Sequence, residues 1–339
     1  MRINFKYSCI LLLLVSLVLS FSTKPAQSAI DLSGGDSGEP IPINATNASD
    51  VIELNSVIEY TNKLEFSPDS STLASAAFER RIRLWHVPDL ELMDTSDRTS
   101  GTLYTITYSP DGDLLATGSG DSNIRIWDSK DLSLIRTIEG HLYDVFSLDF
   151  SPDGNHLISG SLDQTARIWD IDDGTMIRQL AWNPHFVNSV AYSPDGEQIA
   201  TASGFGTLRY YDETGRWLRP FGAHYSWVNE IEYSPYGDLL ATATNNSFIW
   251  LYDAYNGALL NYFEAHESFI NSIAFSPDGE LLATASNDKT VKIWEVETGE
   301  LLNTLEGHTK YVEEVDFSPD GAYIASGGRD GKVIIWGIR

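Results

Sequence analysis

The stretch VFSLDFSPDGNHLISGSLDQTARIWD, residues 145–170, decides the fold because the chain repeats it in seven variants. Each variant contains Ser-Pro-Asp-Gly, or a near copy, directly after an aromatic residue. These aromatic residues recur at intervals of 42, 42, 42, 41, 42 and 42 residues, and they are Phe66, Tyr108, Phe150, Tyr192, Tyr233, Phe275 and Phe317. An internal period of this length predicts an array of repeated structural units rather than one irregular domain.

Each repeat predicts four short strands. Ser-Pro-Asp-Gly suits a type I turn, because proline presets φ at the second position and glycine tolerates the fourth. Alternating residues precede this turn in 145–150, and runs such as 114–119, 124–127 and 134–138 supply three further strands bounded by turn residues. No helical periodicity separates these runs, so the sequence predicts an all-β fold. A single four-stranded sheet cannot bury its own faces, and neighbouring repeats must therefore stack.

The ends of the predicted third strands carry a family resemblance. They read Trp127-Asp128, Trp169-Asp170 and Trp294-Glu295, more loosely Trp85-His86 and Trp336-Gly337, with Tyr211-Asp212 and Tyr252-Asp253 in repeats four and five. Gly140-His141 and Gly307-His308 precede the first strands of their repeats. Over about residues 50–339 the chain resembles the WD-repeat β-propellers. The resemblance implies a seven-bladed β-propeller of four-stranded antiparallel blades.

Closure of the ring is a separate prediction. The seventh repeat has no fourth strand after Trp336, which would leave an open sheet edge. The segment Asp50–Asn55 aligns with the fourth strands of other repeats, such as Leu134–Glu139. We therefore expect an N-terminal strand to complete the last blade, as the resemblance also implies.

The first 28 residues have the pattern of a secretory signal peptide. Arg2 and Lys6 precede an apolar run from Ile10 to Phe21, and small residues follow at 26–28. An uncleaved anchor is the alternative, although a run of this length is short for a membrane span. Residues 29–49 are rich in Gly, Ser, Pro, Asp and Asn, and this composition predicts a disordered linker. We therefore expect a secreted or periplasmic protein, and exported propellers of this type resemble bacterial usage.

The charge of the chain excludes some partners. The formal net charge is −26, and loss of Arg2, Lys6 and Lys24 with the signal peptide would bring it to −29. Such a surface repels phosphate backbones and anionic lipid, so we expect neither nucleic-acid binding nor direct membrane insertion after cleavage. The single cysteine, Cys9, would leave with the signal peptide, so the mature chain would form no disulfide.

Two repeats contain residues that a hydrolase could use. His141, Ser161, Asp163 and Trp169 stand in one blade, and His266, Ser286, Asp288 and Trp294 repeat the spacing in another. The resemblance implies that these are structural hydrogen-bond tetrads, in which buried polar groups satisfy one another. A serine hydrolase is the alternative interpretation. On the same alignment blade seven has Gly328 in place of the serine, and blade two has Thr99 in place of the histidine.

The positions that vary most between repeats predict a binding surface. The third residue after the histidine position is aromatic in five repeats, namely Tyr60, Phe186, Trp227, Phe269 and Tyr311. Asparagine follows two residues later at Asn188, Asn229 and Asn271, and Arg329 is placed beside them. The resemblance implies that these residues frame one rim of the central channel. The alternative is that the rings pack between blades.

Two classes of function follow from this pattern. The first is a non-catalytic scaffold whose rim holds a protein, peptide or glycan, as a monomer within a larger assembly. The second is a hydrolase or lyase with an acidic site at the channel mouth, for which Asp144 and Glu313 are the candidate carboxylates. We favour the scaffold and expect no catalytic residues, metal site or cofactor, since the loops are short and no unrepeated cluster of acids, His or Lys occurs.

Overall fold

The chain folds into seven four-stranded antiparallel sheets arranged as the blades of a propeller. The computed structural model describes residues 40–180, 185–224 and 226–339, with the side chains of 220–223 excluded. The innermost strands contact one another in a closed ring, in the order β2, β6, β10, β14, β18, β22, β26 and back to β2. The prediction of a closed seven-bladed propeller is confirmed.

Each blade contributes one strand to each of four concentric positions. The innermost strands are β2 (Thr61–Phe66), β6 (Leu103–Tyr108), β10 (Val145–Phe150), β14 (Val187–Tyr192), β18 (Val228–Tyr233), β22 (Ile270–Phe275) and β26 (Val312–Phe317). The second strands are β3 (Thr72–Ala77), β7 (Leu114–Ser119), β11 (His156–Ser161), β15 (Gln198–Ser203), β19 (Leu239–Thr244), β23 (Leu281–Ser286) and β27 (Tyr323–Gly328).

The outer half of each blade follows the same pattern. The third strands are β4 (Arg81–His86), β8 (Ile124–Asp128), β12 (Ala166–Asp170), β16 (Thr207–Asp212), β20 (Phe248–Asp253), β24 (Thr290–Glu295) and β28 (Lys332–Gly337). The outermost strands are β5 (Leu92–Thr95), β9 (Leu134–Ile138), β13 (Met176–Gln179), β17 (Trp217–Ala223), β21 (Leu259–Glu264), β25 (Leu301–Glu306) and, for blade seven, β1 (Ile52–Ile58).

The repeated turn forms because its residues satisfy one another. In blade three the N–H of Gly154 donates to the carbonyl of Ser151 at 2.8 Å, and Gly154 has a φ of +73°. The Ser151 hydroxyl donates to Asp153 at 2.6 Å and accepts from the N–H of His156 at 2.9 Å. A side chain at Gly154 would be strained at this φ, so the glycine of the repeat is required by the backbone.

The apolar core lies between neighbouring blades. One cluster combines Ile124 and Ile126 of blade two with Val145, Phe150 and Trp169 of blade three. Equivalent clusters join the other pairs, so each blade buries its faces against both neighbours. This explains why the repeats fold as a ring rather than as independent sheets.

The N-terminal strand closes the ring as expected. β1 pairs antiparallel with β28, from Ile52 opposite Gly337 to Ile58 opposite Lys332. The two ends of the propeller therefore share blade seven. The strand begins two residues later than Asp50 and extends beyond Asn55 to Ile58.

The structure corrects the predicted linker over residues 40–49. Ile43 is only 2% exposed, and its N–H donates to the carbonyl of Gly321 at 2.8 Å. A short 3-10 helix follows at Ala48–Asp50, and the Asn303 amide donates to the carbonyl of Ala48 at 2.9 Å. Composition missed this contact because a single buried isoleucine carries it. The predicted signal peptide and residues 29–39 lie outside the described residues.

Candidate binding rim and channel

The rim aromatics stand at the entry to the innermost strands. Tyr60, Phe186, Trp227, Phe269 and Tyr311 each precede the first residue of an innermost strand by one position. The ladder between the first and second strands shifts register just after that point, as between Val228 and Glu230. The same bulge recurs in all seven blades and places equivalent residues at the same end of the channel.

Neighbouring rings form a continuous ridge across blades two to five. Trp227 meets Phe186 with centroids 5.4 Å apart and Phe205 at 5.8 Å. Phe186 continues to Phe146 at 6.4 Å, and Phe146 to Tyr104 at 5.4 Å. Three of these four pairs are edge-to-face, and such geometry stabilises a pair by about 0.5–1.5 kcal/mol beyond buried area. We call these five residues the aromatic ridge.

The ridge is both packed and accessible. Trp227 is 41% exposed and Phe205 is 57% exposed, whereas Phe186 is half-buried. Phe186 lies so close to Gly204 that a Cβ there would come within 2.8 Å of its ring, which explains the glycine before Phe205. Both interpretations of the rim rings, packing between blades and an exposed binding surface, therefore apply in part. The rings contact their neighbours along the rim and leave a large apolar area facing solvent.

The other rim aromatics lie apart from the ridge. Tyr60, Phe269 and Tyr311 are each about half exposed, on blades one, six and seven. Tyr60 packs against Gly331, where a Cβ would lie 2.6 Å from the ring. These residues extend the exposed aromatic surface around the channel mouth.

The rim asparagines each use an amide N–H group between neighbouring blades. The amide N–H groups of Asn188, Asn229 and Asn271 donate to the carbonyls of Val228, Ile270 and Val312 in the next blade, at 2.9, 2.7 and 2.7 Å. Asn229 and Asn271 also donate to Asn245 and Asn287. These N–H groups join neighbouring blades, and the role of the amides in ligand recognition stays a prediction. The sequence shows the amide but not the carbonyl that it meets.

The two carboxylates considered for an enzyme do not form a pair. Glu313 accepts from Arg329 across blade seven. Asp144 belongs to blade three, which does not adjoin blade seven, and lies beside the phenol of Tyr104. Burial, with a smaller effect of Asp144, raises the pKa of that phenol. The rim thus offers no acid–base pair from these two residues.

The channel beneath the rim is lined by acidic side chains. It encloses about 810 Å³, and the lining residues include Lys63, Glu230 and Glu314 in one layer. The Lys63 ammonium lies 2.5 Å from Glu230 and 2.6 Å from Glu314. Burial lowers the pKa of Lys63, but the two carboxylates outweigh burial and raise it well above its usual value.

A second layer of carboxyls joins neighbouring blades. Each accepts from the backbone N–H of the aromatic residue before the next Ser-Pro turn, and the pairs are Glu65 with Tyr108, Asp149 with Tyr192, Glu232 with Phe275 and Asp316 with Phe66. The innermost strand is a sheet edge with unpaired N–H groups, and these carboxyls satisfy them. Blades two, four and six have Thr107, Ala191 and Ala274 at this position.

Sequence analysis did not identify this carboxyl layer. A carboxylate directly before the aromatic residue of Ser-Pro-Asp-Gly, as in Glu65-Phe66 and Asp149-Phe150, is the feature that could have found it. It was overlooked because an acid in an alternating strand is ordinarily solvent-facing. In the propeller, the face of the innermost strand that carries these acids lines the channel instead.

The predicted tetrads exist with one systematic correction. In blade three His141 bonds Asp163 at 2.8 Å, and both His141 and the Trp169 indole meet the hydroxyl of Ser159, at 2.7 and 2.8 Å. In blade six His266 likewise bonds Asp288, and both His266 and the Trp294 indole meet the hydroxyl of Thr284. The predicted Ser161 and Ser286 were therefore wrong as the shared hydroxyls.

Strand register explains the correction. Trp169 pairs with Leu157, so Ser159 is its diagonal neighbour, while Ser161 lies two residues further along the same face. Ser161 and Ser286 instead donate to the carbonyls of Tyr143 and Phe269. Residues i and i+2 share one face of a strand, so sequence spacing alone could not choose between them.

Placing the shared hydroxyl two residues earlier in the second strand also changes which blades contain a complete tetrad. Blade seven contains one, formed by His308, Asp330, Ser326 and Trp336, although Gly328 had suggested a missing hydroxyl. Blade two keeps only the indole bond, from Trp127 to Thr117 at 2.9 Å, and Thr99 bonds backbone carbonyls instead.

The tetrad groups are poor catalysts in this setting. Burial lowers the pKa of His141, His266 and His308, against the opposing carboxylates. Burial acts to raise the pKa of Asp163, but hydrogen bonds from His141 and Thr165 lower it well below its usual value. Ser159 is fully buried, so no substrate reaches its hydroxyl. The interpretation as structural tetrads accounts for every one of these contacts.

Comparison with known families agrees with this architecture. Residues 61–249 match the family model described as IFT122 first beta-propeller, and residues 257–295 and 299–337 match the WD domain, G-beta repeat. The chain belongs to the IFT122 first beta-propeller family of WD-repeat propellers. A search of curated proteins found no match. Propellers of these families are generally non-enzymatic scaffolds that bind proteins.

Metal-binding clusters and membrane-spanning helices are absent from the described residues. No group of three or more His, Cys, Asp or Glu in that part of the chain could hold a metal ion. None of its helices is long and apolar enough to span a bilayer. The matches carry no information on export or on a bacterial source, so both stay predictions.

Proposed function

We propose that the protein is a non-catalytic scaffold whose aromatic ridge docks a protein partner. The observation that carries this proposal is the exposed ring surface centred on Trp227, with Phe205 and Phe186 in contact with it. Interface hot spots favour large aromatic residues in packed surroundings. The general role of WD-repeat propellers in protein binding supports the same class of function.

A polypeptide fits the ridge better than a glycan. Sugar hydroxyls need several directional hydrogen bonds in addition to ring stacking, and one amide N–H of each of Asn188, Asn229 and Asn271 is already used by a backbone carbonyl. The ridge offers apolar area instead, which suits an apolar or aromatic segment of a protein. We therefore place the glycan alternative second.

Photo-crosslinking tests where the partner docks. A photoreactive phenylalanine analogue replaces Phe205 in one variant and Tyr236 in the other. Tyr236 is 71% exposed and lies in the turn beyond the opposite end of β18. We expect the partner in a native extract to crosslink at position 205 and not at 236. Crosslinking at 236 alone would place the interface on the opposite face and contradict the proposal.

We also propose that the scaffold works outside the cytoplasm, as a monomer within a larger assembly. The support is the N-terminal sequence, with Arg2, Lys6 and the apolar run from Ile10 to Phe21. Mass spectrometry of the protein from its native source tests this, and the expected mature N-terminus is Ala29. A full-length chain recovered from the cytoplasm would refute export.

A further inference from the structure

The carboxyls of the channel connect the blades at four of the seven junctions. Glu65, Asp149, Glu232 and Asp316 link blade one to two, three to four, five to six and seven to one. The other three junctions have Thr107, Ala191 or Ala274 at the equivalent position. Protonation of one small set of groups therefore acts on four of the seven blade junctions at once.

These carboxyls share a confined space with little positive charge. Among the described residues that line the channel, Lys63 is the one cation, and it is already bound to Glu230 and Glu314. Glu313, at the mouth, is paired with Arg329. Neighbouring carboxylates such as Asp316 and Asp149 repel the charge of Glu65. Ionising the whole layer would place several like charges around one channel without matching cations.

We propose that the channel carboxyls stabilise the propeller in a proton-dependent way. They join neighbouring blades most strongly while they are uncharged, and the blade junctions become less stable as they ionise. A neutral carboxyl still accepts the backbone N–H of the next blade through its carbonyl oxygen. Ionisation keeps that bond but adds repulsion and the cost of charging a group away from bulk water. The proposal does not depend on what the rim binds.

The titration ranges agree with this mechanism. Burial raises the pKa of Glu65 to about 8, of Asp149 to about 7 and of Asp316 to about 6, and it raises that of Glu232 well above its usual value. The folded protein then holds protons that the unfolded chain has released, so stability falls as pH rises through this range and levels off above the folded pKa.

Other titratable groups facing the channel do not reverse this trend. Glu314 shares the Lys63 ammonium with Glu230, and this ion pair opposes the effect of burial on Glu314. The phenols of Tyr108, Tyr192 and Tyr233 ionise far above neutral pH because burial raises their pKa. The buried histidines have lowered pKa values and oppose the trend only where unfolded histidine is protonated, below about pH 6.5. Between pH 6.5 and 8.5 the change in stability with pH therefore comes from the channel carboxyls rather than from the histidines or tyrosines.

Melting curves of the full chain across that window test the proposal. We expect the wild-type melting temperature to fall by about 4 °C or more from pH 6.5 to 8.5, since roughly 2–4 °C corresponds to each kcal/mol in a domain of this size. The double variant Glu65→Gln, Glu232→Gln keeps oxygen acceptors for the same N–H groups but cannot ionise. It should show a clearly smaller fall and exceed the wild type at pH 8.5.

Controls separate charge from structure. Glu91→Gln changes an exposed acid away from the channel and should keep the wild-type slope. Glu65→Gln alone, which alters one junction, is measured in case the double variant does not fold. Calorimetric unfolding at pH 7.5 in buffers of different ionisation enthalpy should show proton release from the wild type and less from Glu65→Gln. A flat or rising wild-type profile, or a Glu65→Gln variant with wild-type slope and proton release, would overturn the proposal.

Discussion

The ammonium of Lys63 lies 2.5 Å from a carboxylate oxygen of Glu230, although their blades are not neighbours in the ring. Lys63 belongs to β2 in blade one, Glu230 to β18 in blade five, and the contact crosses the channel. Glu314 of blade seven completes the group at 2.6 Å. This contact joins strands of blades that are not neighbours in the ring, which sheet pairing and the stacking of adjacent blades cannot do.

Removal of this cation should destabilise the ring. We expect Lys63→Met to lower the free energy of unfolding by about 3 kcal/mol, because Glu230 and Glu314 would be left without a cation in a confined space. Lys130→Met is the matched control, since Lys130 pairs with Asp113 but is 76% exposed, and its loss should cost less than about 1 kcal/mol. Denaturant titration measures both, and equal costs would show that the channel contact contributes no more than a surface pair.

The tetrad hydroxyl can be tested by substitution at one position. Ser159→Ala leaves the Trp169 indole and His141 without their shared partner, and we expect a loss of about 1–3 kcal/mol. Ser159→Thr retains the hydroxyl and should cost less, since threonine occupies the equivalent site in blade six. Chemical denaturation of both variants would show the difference. Equal losses for alanine and threonine would argue against the assignment of Ser159.

The segment before the closing strand should contribute to stability. Ile43→Ala removes a buried side chain from the cluster shared with blades six and seven, and we expect a cost of about 2 kcal/mol or more. Ile41→Ala changes a residue that is 47% exposed and should cost far less. Melting temperatures of the two variants provide the comparison. An unchanged melting temperature for Ile43→Ala would indicate that residues 40–49 act only as a linker.

His224 should remain uncharged well below neutral pH. Burial lowers its pKa to about 4, and it bonds Thr242 and Tyr252 at 3.2 Å rather than a carboxylate. A lowered folded pKa means that its contribution to stability is full above about pH 6.5 and is lost as pH falls toward 4. NMR titration of the imidazole nitrogens measures this directly. A midpoint near 6.5 would show that the ring is solvated rather than buried.

Much of the fold could be predicted because every repeat carries the same local information. The turn at Ser151–Gly154 and the indole at Trp169 recur in phase, so strand number, blade number and closure follow from spacing. The tetrad hydroxyl could not be fixed, because Ser159 and Ser161 share one strand face and only the register separates them.

The site was less accessible to sequence analysis. The exposure of the rings at Trp227 and Phe269 follows from their position before the innermost strands. The backbone carbonyl that accepts from Asn229 belongs to Ile270 in the next blade, which the sequence does not show. The channel carboxyls depend on contacts between residues more than forty positions apart, such as Glu65 and Tyr108. Such contacts arise only when neighbouring blades stack.

The central claim is that the aromatic ridge, and Trp227 above all, docks a protein partner. The most direct measurement is a calorimetric titration of the crosslinked partner, once purified, against wild type, Trp227→Ala and the control Tyr236→Ala. We expect Trp227→Ala to weaken binding by about thirtyfold or more while Tyr236→Ala binds as the wild type. Circular dichroism should show that Trp227→Ala remains folded. Unchanged affinity of a folded Trp227→Ala variant would contradict the account.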